Sequence, residues 1–281
     1  MKIIKTIQEL RVELESFKKA GKSVGLVPTM GALHAGHMSL VEASAKENDV
    51  TVVSVFLNPI QFGKNEDLDK YPRCLEKDAE LSEAHGGTIV FAPEVVEMYP
   101  DGEPLTRVCD ESLERLYCGA FRPGHFRGVL TVVLKLFMIT GADRAYFGKK
   151  DYQQAFLIRR MVKDLNVPVE IKTLPIIRES SGLARSSRNA YMNESERSAA
   201  VAISKALLEA DKAFRAGERN ANALRSKVQA AIALAGGVVQ YVEIASQKTL
   251  LPEESEILEP SVILVAAFFG KTRLIDNLEL E

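Results

Sequence analysis

The sequence has little of what several classes of protein require. Among its 281 residues are only three cysteines, Cys74, Cys109 and Cys118, which lie far apart and form neither a CxxC pair nor a disulfide framework. Lysine and arginine number 36 against 38 aspartates and glutamates, so the chain lacks the basic excess that nucleic-acid binding requires. We therefore expect a reducing, cytoplasmic environment and no nucleic-acid partner.

Long apolar runs are missing as well. Lys135 interrupts the apolar stretch 129–139, and residues 1–10 lack the apolar core of a signal peptide. We therefore expect no membrane association. The chain does have 46% hydrophobic and 26% charged residues, the balance of a folded protein with one large or two ordinary domains.

Predicted strands and helices alternate over the first part of the chain. Strand patterns occupy residues 24–27, 51–57, 88–92, 144–147 and 167–174, and helical patterns occupy 7–20, a stretch that ends near 47, 75–85, 128–140 and 152–165. The continuous apolar character of 51–57 is typical of a strand buried on both faces of a parallel sheet. The alternation predicts an α/β, Rossmann-like, doubly wound parallel sheet.

The pattern changes after about residue 176. Two helical stretches, 194–216 and 221–234, precede three β-rich runs at 238–245, 261–269 and 272–276. This order predicts a smaller α+β C-terminal domain. We therefore expect a first domain of residues 1–175 and a second of residues 176–281.

The turn between the first strand and the following helix carries the first candidate site. It contains His34-Ala35-Gly36-His37 at the helix start, where unpaired backbone N–H groups can hold a phosphate. A protonated or donating His37 would stabilise charge that builds on a phosphoryl group. Two plain surface histidines or a metal-binding pair are the alternatives, but no Cys, Asp or Glu with ligand spacing completes a metal site. We therefore expect no metal bound by the protein itself.

A second candidate site follows a later strand. Gly148, Lys149, Lys150 and Asp151 open a predicted helix and so lie at the carboxyl edge of the sheet, where open α/β folds bind ligands. A lysine at this edge can meet a phosphate as a point charge. The alternative is a solvated turn in which Asp151 caps the helix, and the sequence alone does not decide between the two.

A polar, glycine-containing loop supplies a third candidate. Ser186, Ser187 and Arg188, preceded by Gly182 and Arg185, combine hydroxyl and guanidinium groups suited to gripping a triphosphate. Loops rich in Ser and Asn are common, so this signal is weak when taken alone.

Two uncharged amides complete the candidate residues. Gln61 follows the strand pattern of 51–57, and Gln154 lies in the first turn of the helix after Gly148. Neutral donors and acceptors of this kind suit a small hydroxylated acid better than a second nucleotide. For each glutamine taken separately, a solvent-exposed position is the alternative.

Six motifs occur together in a fixed order. They are PTMGALHAGH at 28–37, NPIQF at 58–62, KYPR at 70–73, RPGHFRGV at 122–129, FGKKDYQQ at 147–154 and SSRN at 186–189. In these motifs the chain resembles the pantothenate synthetases, the pantoate–β-alanine ligase family. The resemblance is strongest over 24–190 and weak beyond it. HxGH alone would be shared with the whole nucleotidyltransferase superfamily.

The resemblance implies a reaction, its co-substrates and an assembly. Family members join pantoate to β-alanine with ATP as co-substrate, through a pantoyl-adenylate intermediate, and release pyrophosphate and AMP. Mg²⁺ would be carried on the ATP phosphates rather than in a protein cage. The family also suggests a homodimer.

The resemblance likewise implies roles for individual residues. His37, His34 and Lys150 correspond to the catalytic residues, and Asn58, Gln61 and Gln154 to the residues that bind pantoate and β-alanine. The ATP-binding positions, besides those three catalytic residues, are Met30, Gly31, Ala32, Leu33, Ala35, Gly36, Gly148, Lys149, Asp151, Ile177, Arg185, Ser186, Ser187 and Arg188. The loop 180–189 would close over the phosphates.

The chain departs from the family pattern near the phosphates. Position 149 is Lys where Glu is common, position 185 is Arg where an apolar residue is frequent, and Ser180 and Ser181 stand where Pro-Asp is frequent. Lys149 and Arg185 add positive charge, and none of these departures removes a residue that has an implied role.

Two other functions remain open at this point. One is a nucleotidyltransferase that adds AMP to a phosphorylated acceptor, against which the uncharged Gln61 and Gln154 argue. The other is a nucleotide- or RNA-binding module without catalysis, against which the near-neutral net charge of −2 argues.

Overall fold

A computed structural model describes residues 1–63, 66 and 68–281 of the chain. The chain divides into two compact units. The first comprises Met1–Lys149 and Gln154–Pro175, and the second comprises Lys150–Gln153 and Ile176–Glu281. The short segment Lys150–Gln153 therefore belongs to the second unit, although it lies within the first in sequence.

The first unit alternates strands and helices, as predicted. In the described residues its strands are β1 (Lys2–Ile4), β2 (Val24–Thr29), β3 (Val50–Val55), β4 (Ile89–Phe91), β5 (Arg144–Gly148) and β6 (Glu170–Leu174). Its helices are α1 (Ile7–Lys19), α2 (Ala35–Glu47), α3 (Leu75–Ala84), α4 (Val95–Met98), α5 (Cys118–Phe121), α6 (His125–Thr140) and α7 (Tyr152–Asp164), the last of which begins in the second unit's short segment. Single 3₁₀ turns lie at Pro59–Gln61, Leu113–Arg115 and Lys149–Asp151.

The six strands form one parallel sheet in the order β1-β4-β3-β2-β5-β6. From β2 the chain adds β3 and then β4 on one side, and afterwards returns to add β5 on the other side. The strand order therefore reverses between β2 and β5, and such a reversal opens a crevice at the carboxyl ends of the strands. The predicted α/β, doubly wound fold is confirmed.

The core of the first unit explains why these segments fold as they do. Val27, Val53 and Val90, one from each of three neighbouring strands, are fully buried and pack in one cluster with Met38 and Val41 of α2. The β-branched side chains suit a sheet covered on both faces.

The second unit combines helices with an antiparallel sheet. Its helices are α8 (Glu194–Ala200), α9 (Ala202–Arg215) and α10 (Ala221–Leu234), and its strands are β7 (Val238–Ser246), β8 (Ser261–Phe269) and β9 (Thr272–Leu280), paired in the order β7-β8-β9. Its core packs Leu207 and Ile232 of the helices against Ile263 and Val265 of β8. The predicted smaller α+β domain is confirmed.

Several elements differ from the sequence prediction. β6 begins at Glu170 rather than at 167, α6 begins at His125 rather than at 128, and three further differences have a physical reason. β1 was not predicted, because three residues are too few for a pattern; its pairing with β4 creates it. The predicted helix 194–216 is two helices, since the Val201 N–H bonds to the Ala199 carbonyl instead of continuing the helical ladder. β9 is longer than predicted, because residues 277–280, which include the polar Asn277 and Glu279, also pair with β8. Within the described part of the chain, no helix is long and apolar enough to cross a membrane.

Candidate active site

The two histidines cap the start of α2 reciprocally. His34 Nδ1 accepts a hydrogen bond from the Gly36 N–H at 3.1 Å, and His37 Nδ1 accepts one from the His34 N–H at 3.3 Å. The two rings stack with their centroids 4.1 Å apart and their planes tilted by 31°. Local hydrogen bonding at the helix start therefore sets the orientation of both rings.

These hydrogen bonds also decide where each imidazole carries its proton. A ring nitrogen that accepts from a backbone N–H is unprotonated, so each neutral ring carries its proton on Nε2. Both histidines thus present a donor, Nε2–H, of the kind that suits a phosphate oxygen.

The hydrogen bonds of the histidine pair also bear on the metal-pair alternative. Among the residues that the structure describes, no group of three or more His, Cys, Asp and Glu side chains is placed to hold a metal ion. The Nδ1 atoms of His34 and His37, moreover, already accept backbone hydrogen bonds.

The turn that leads into this helix is tightly bent. Gly31 has φ +87° and Ala32 has φ +52°, both in the left-handed region that residues with a Cβ rarely adopt. A Cβ on Gly31 would lie 3.0 Å from Asp78 Oδ2 and 3.1 Å from Val55 Cγ1, so glycine is needed there for space as well. The close approach of Asp78 is a feature that the sequence did not reveal.

Gln61 and Asn58 form a buried amide cluster after β3. The Gln61 Nε2 group donates to Met30 Sδ at 2.9 Å, and its Oε1 atom accepts from Asn58 Nδ2 at 3.0 Å. Asn58 is itself held by the Tyr99 hydroxyl, which donates to Asn58 Oδ1 at 2.9 Å, and by a bond from Asn58 Nδ2 to the Gly128 carbonyl at 3.2 Å. Burial raises the pKa of Tyr99, which keeps this donor protonated. The exposed alternative for Gln61 is wrong, since its exposed fraction is 8%.

A second network holds the backbone of Gln61. The Gln61 carbonyl accepts from His125 Nδ1 at 2.9 Å, so the His125 proton lies on Nδ1, and His125 Nε2 accepts from Arg122 Nη1 at 2.9 Å. Arg122 also binds Glu66 through Nε and Nη2, at 2.7 and 2.6 Å. Burial raises the pKa of Glu66, but the hydrogen bonds and charge of Arg122 outweigh it and hold the pKa below the usual value.

Close packing of α6 against the 3₁₀ turn at Pro59–Gln61 depends on Gly128. A Cβ at this position would lie 2.5 Å from the Ile60 carbonyl oxygen and 2.6 Å from Gln61 Cα. Any larger residue would push the turn, and with it the Gln61 amide, out of place.

The residues after β5 divide between the two units. Gly148 ends β5 and Lys149 closes the first unit's segment, whereas Lys150 and Asp151 belong to the second unit. Within the second unit the Lys150 carbonyl accepts from Asn277 Nδ2 of β9 at 3.0 Å, and Lys150 Nζ lies 3.8 Å from Asp151 Oδ2. Strand β9 therefore anchors the backbone of Lys150.

Gln154 lies in the first turn of α7 and is half-buried. It belongs to the first unit, as Gln61 does. Its position at the start of α7 matches the one predicted from the sequence.

The predicted serine and arginine loop continues from a small hairpin in the second unit. Arg178 and Ala184 pair across the hairpin, and the Arg185 N–H bonds to the Ile177 carbonyl at 2.9 Å. Arg178 binds Asp276 of β9 through two hydrogen bonds of 2.6 and 3.0 Å. Asp276, the last residue of the predicted run 272–276, thus holds the base of this hairpin to β9.

The serines themselves begin a 3₁₀ segment, Ser187–Tyr191. Ser186 Oγ caps it by accepting from the Arg188 N–H at 3.3 Å. Asn189 Nδ2 donates to the Ala184 carbonyl and to Glu179 Oε1, at 3.1 and 3.0 Å. Burial raises the pKa of Glu179, but hydrogen bonds from Arg197 and Asn189 outweigh this effect. The pKa of Glu179 therefore lies below the usual value of a glutamate.

Within each unit the structure groups the predicted residues. The first unit brings together Met30, Asn58 and Gln61, and separately stacks the two histidines at the start of α2. In the second unit, Lys150 and the hairpin that precedes Ser186 are both hydrogen-bonded to the same strand, β9. This grouping reflects the parallel sheet order, since the turns after β2 and β3 lie at the same edge of neighbouring strands.

Four supporting residues were missed by sequence reasoning. His125 lies in the RPGHFRGV motif, which supported the family resemblance but predicted no role for this histidine. Tyr99, Asp78 and Asp276 lie in segments that no motif marked as part of a site. Their partners are backbone groups, the Asn58 side chain and, for Asp276, the Arg178 side chain, which only the folded chain brings near.

The fold and the histidine turn together define the class of protein. The chain is a doubly wound α/β protein that carries an HxGH motif where the strand order of its parallel sheet reverses. The family model described as Pantoate-beta-alanine ligase matches residues 2–279, and the chain therefore belongs to the pantoate–β-alanine ligase family. It is an enzyme of the ligase class, which disfavours the two alternative functions left open by the sequence.

Individual relatives agree with this assignment. The chain is 50% identical to a pantothenate synthetase of Acetivibrio thermocellus over the full length of both. The solved pantothenate synthetase of Thermus thermophilus is 44% identical and superposes with a TM-score of 0.92 over 99% of each chain. A pantoate-beta-alanine ligase of Francisella tularensis, solved in complex with beta-gamma ATP and beta-alanine, is 36% identical, with a TM-score of 0.82 over 99% of this chain and 97% of its own.

Proposed function

We propose that this ligase condenses pantoate with β-alanine to pantothenate through a pantoyl-adenylate intermediate, using ATP and releasing pyrophosphate and AMP. The observation that supports the proposal most is the histidine pair at the start of α2, whose Nδ1 atoms are occupied and whose Nε2–H groups are donors. The relative solved with beta-gamma ATP and beta-alanine supports the choice of these substrates.

In the first step a pantoate carboxylate oxygen attacks the α-phosphorus of ATP. A bond forms between that oxygen and phosphorus, the bond to the β-phosphate oxygen breaks, and pyrophosphate leaves with the electron pair. The carboxylate is already ionised near neutral pH, so no side chain has to activate it as a nucleophile. His34, His37 and Lys150 supply donors and positive charge to the phosphoryl oxygens on which charge accumulates.

In the second step the β-alanine amine attacks the acyl carbon of pantoyl adenylate. The new amide bond forms, the bond to the phosphate oxygen of AMP breaks, and the amine gives up a proton. Gln61, already oriented by Asn58 and His125, holds pantoate through its hydroxyl or carboxylate oxygens, together with Gln154. Asn58 acts by holding Gln61, because its own amide is engaged on both sides.

The remaining predicted residues bind the nucleotide. We assign ATP binding to the turn Met30–His37 as a whole, to Gly148, Lys149, Asp151 and Ile177, and to Arg185, Ser186, Ser187 and Arg188. Residues 1–175 bind ATP and pantoate, and residues 176–281 contribute the loop that closes over the phosphates. Mg²⁺ accompanies the triphosphate and neutralises part of its charge.

The assembly and location of the protein remain proposals that rest on the family and on composition. We expect a homodimer without nucleic-acid or membrane partners. The three cysteines, which the structure leaves unbridged, are consistent with a cytoplasmic location.

Pyrophosphate exchange into ATP tests the proposal directly. The purified protein should exchange labelled pyrophosphate into ATP only when pantoate is present, and β-alanine should not be needed. AMP release should require pantoate and β-alanine together. Exchange without pantoate, or AMP formation without it, would overturn the adenylate route.

A further inference from the structure

A buried carboxylate on α3 faces the turn that precedes the histidines. Asp78 is 2% exposed, and no step of the proposed reaction uses it. Its Oδ2 atom accepts the Ala32 N–H at 3.0 Å and its Oδ1 atom accepts the Leu33 N–H at 2.8 Å. One side chain thus binds two successive backbone amides of the turn.

The turn needs such support because its conformation is unfavourable. Gly31 and Ala32 both have positive φ, and Ala32 carries a Cβ that disfavours this region. Without a partner for its amides, this segment would relax toward a more extended backbone.

Packing alone does not hold the turn. A cavity of about 350 Å³ lies beside it, with Met30 and Gly31 in its wall together with Leu57, Pro59 and Asp78. The hydrogen bonds from Ala32 and Leu33 to Asp78 help to fix the position of the turn, together with one from the Gly31 N–H to Thr29 Oγ1 at 3.2 Å.

The two amides lead directly into the candidate catalytic residues. His34 follows Leu33, caps α2 through Nδ1, and offers its own N–H to His37. A shift of the Leu33 amide would therefore move His34 and, through it, the hydrogen bond that orients His37.

We propose that Asp78 is a positioning residue, which holds the turn 31–33 so that His34 and His37 meet the phosphates of ATP. This inference rests on the proposed function, since it takes ATP as the ligand of the turn. It assigns Asp78 no contact with substrate; its effect passes through the Ala32 and Leu33 amides.

The charge of Asp78 separates this role from simple stabilisation. Burial raises the pKa of Asp78, and the hydrogen bonds from Leu33 and Ala32, with the charge of Lys77, offset this only in part. Asparagine at this position removes the buried charge, but it turns an N–H₂ donor toward one of the two backbone donors. The variant therefore weakens the hold on the Ala32 and Leu33 amides.

Asp78→Asn is the first test, with Asp143→Asn as its matched control. Asp143 also accepts a backbone N–H with its carboxylate. The donor is Val24, at 2.7 Å, which lies at the end of β2 opposite to the turn. We expect the Kd for ATP, measured by calorimetry, and the KM for ATP in pyrophosphate exchange to rise about tenfold in Asp78→Asn, with the KM for pantoate unchanged. Asp143→Asn should leave both KM values unchanged.

The split between the two KM values distinguishes positioning from loss of folded protein. A smaller folded fraction lowers the apparent kcat and leaves the KM for ATP as it was. If Asp78→Asn folds poorly, Ala32→Gly in the same background provides a second variant, because glycine adopts positive φ without steric cost. Its KM for ATP should still exceed that of Ala32→Gly alone.

Two different results separate failure of this inference from failure of the proposed function. A wild-type Kd and KM for ATP in both Asp78 variants would overturn the positioning role. Exchange without pantoate in the wild-type protein would overturn the proposed function, whereas the calorimetric Kd for ATP would still test Asp78.

Discussion

At the scale of single residues, the site depends on side chains whose second hydrogen-bonding group is already committed. His34 and His37 use Nδ1 for the helix start, and Gln61 uses Oε1 for Asn58. Each such contact removes rotational freedom before a substrate arrives, so less entropy is lost on binding. The orientation of each side chain is thereby fixed rather than mobile.

Removing the His37 ring should abolish adenylate formation. We expect His37→Ala to lower pantoate-dependent pyrophosphate exchange about 10²- to 10³-fold, because a donor to the developing phosphoryl charge is lost. Circular dichroism should show a folded protein, with stability lowered by about 1 kcal/mol for the lost helix cap. His85→Ala is the control, since that histidine pairs with Glu42 on the surface. Near wild-type exchange in His37→Ala would exclude its assigned role.

Truncating Gln61 should affect one substrate selectively. We expect Gln61→Ala to raise the KM for pantoate about tenfold or more, because a buried hydrogen-bonding partner is removed, with little change in the KM for ATP. Steady-state kinetics with each substrate varied in turn measures both values. Gln8→Ala, in the exposed face of α1, serves as the control. A selective rise in the KM for ATP would contradict the assignment.

At the scale of secondary-structure elements, the turns after parallel strands carry the site and neighbouring helices hold them. Helix α6 supports the 3₁₀ turn after β3 through His125 and Gly128, and α3 supports the turn after β2 through Asp78. In the second unit, β9 holds Lys150 and the hairpin through Asn277 and Asp276. The residues to which we assign roles thus lie on loops whose positions are set by rigid elements.

Adding one methyl group to α6 should disturb the pantoate site from a distance. The Cβ of Gly128→Ala would overlap the backbone of Ile60 and Gln61, so we expect the KM for pantoate to rise about tenfold. Stability should fall by about 1–3 kcal/mol, as overpacked sites show. Leu136→Ala, in the buried face of the same helix, should lower stability without changing that KM. An unchanged KM for pantoate in Gly128→Ala would show that the turn tolerates the shift.

The Glu66–Arg122 contact predicts a pH dependence of stability. The pKa of Glu66 is lowered in the folded state, so the folded protein binds this proton less tightly than the unfolded chain. Its contribution to the free energy of unfolding is therefore complete above the unfolded glutamate pKa of about 4.3 and lost as the pH falls through the folded pKa. Urea unfolding of wild type and Glu66→Gln should differ near neutral pH and converge in acid. A constant difference across this range would contradict the prediction.

At the scale of the whole molecule, the chain packs two separate cores, and the residues to which we assign roles are divided between the two units. The first unit contains the histidine pair and the amide cluster, and the second contains Lys150 and the serine and arginine segment. Because Lys150–Gln153 joins the second unit while Gln154 joins the first, one short stretch of chain contributes to both.

The assembly in solution is a further prediction for the whole molecule. Leu105, Phe121 and Met138 of the first unit are exposed, and burying such side chains against a second copy would stabilise association. We expect light scattering after size exclusion to give twice the 31.0 kDa mass of the chain. A mass of one chain at working concentrations would exclude the homodimer.

The sequence by itself determined the sheet class, most of the order of the elements and the position of the turn that carries the two histidines. The hydrophobic periodicity and the positions of Gly, Pro and capping residues suffice for these predictions. A buried parallel strand is continuously apolar, and a helix start needs small or capping residues. The ordered motifs, in turn, determined the family. The sequence did not predict β1 or the end of β9, since pairing with a neighbouring strand, not a local pattern, defines both segments.

Only the tertiary structure decided which groups hold the site in place. Asp78 reaches back 46 residues to Ala32, and His125 reaches back 64 residues to Gln61, and no local pattern records such pairings. The tautomers of His34, His37 and His125 were decided in the same way, because a ring nitrogen accepts or donates according to the partner that folding brings to it. The sequence gives the type of each residue, but the direction in which each donor points depends on contacts that form only when the sheet is assembled.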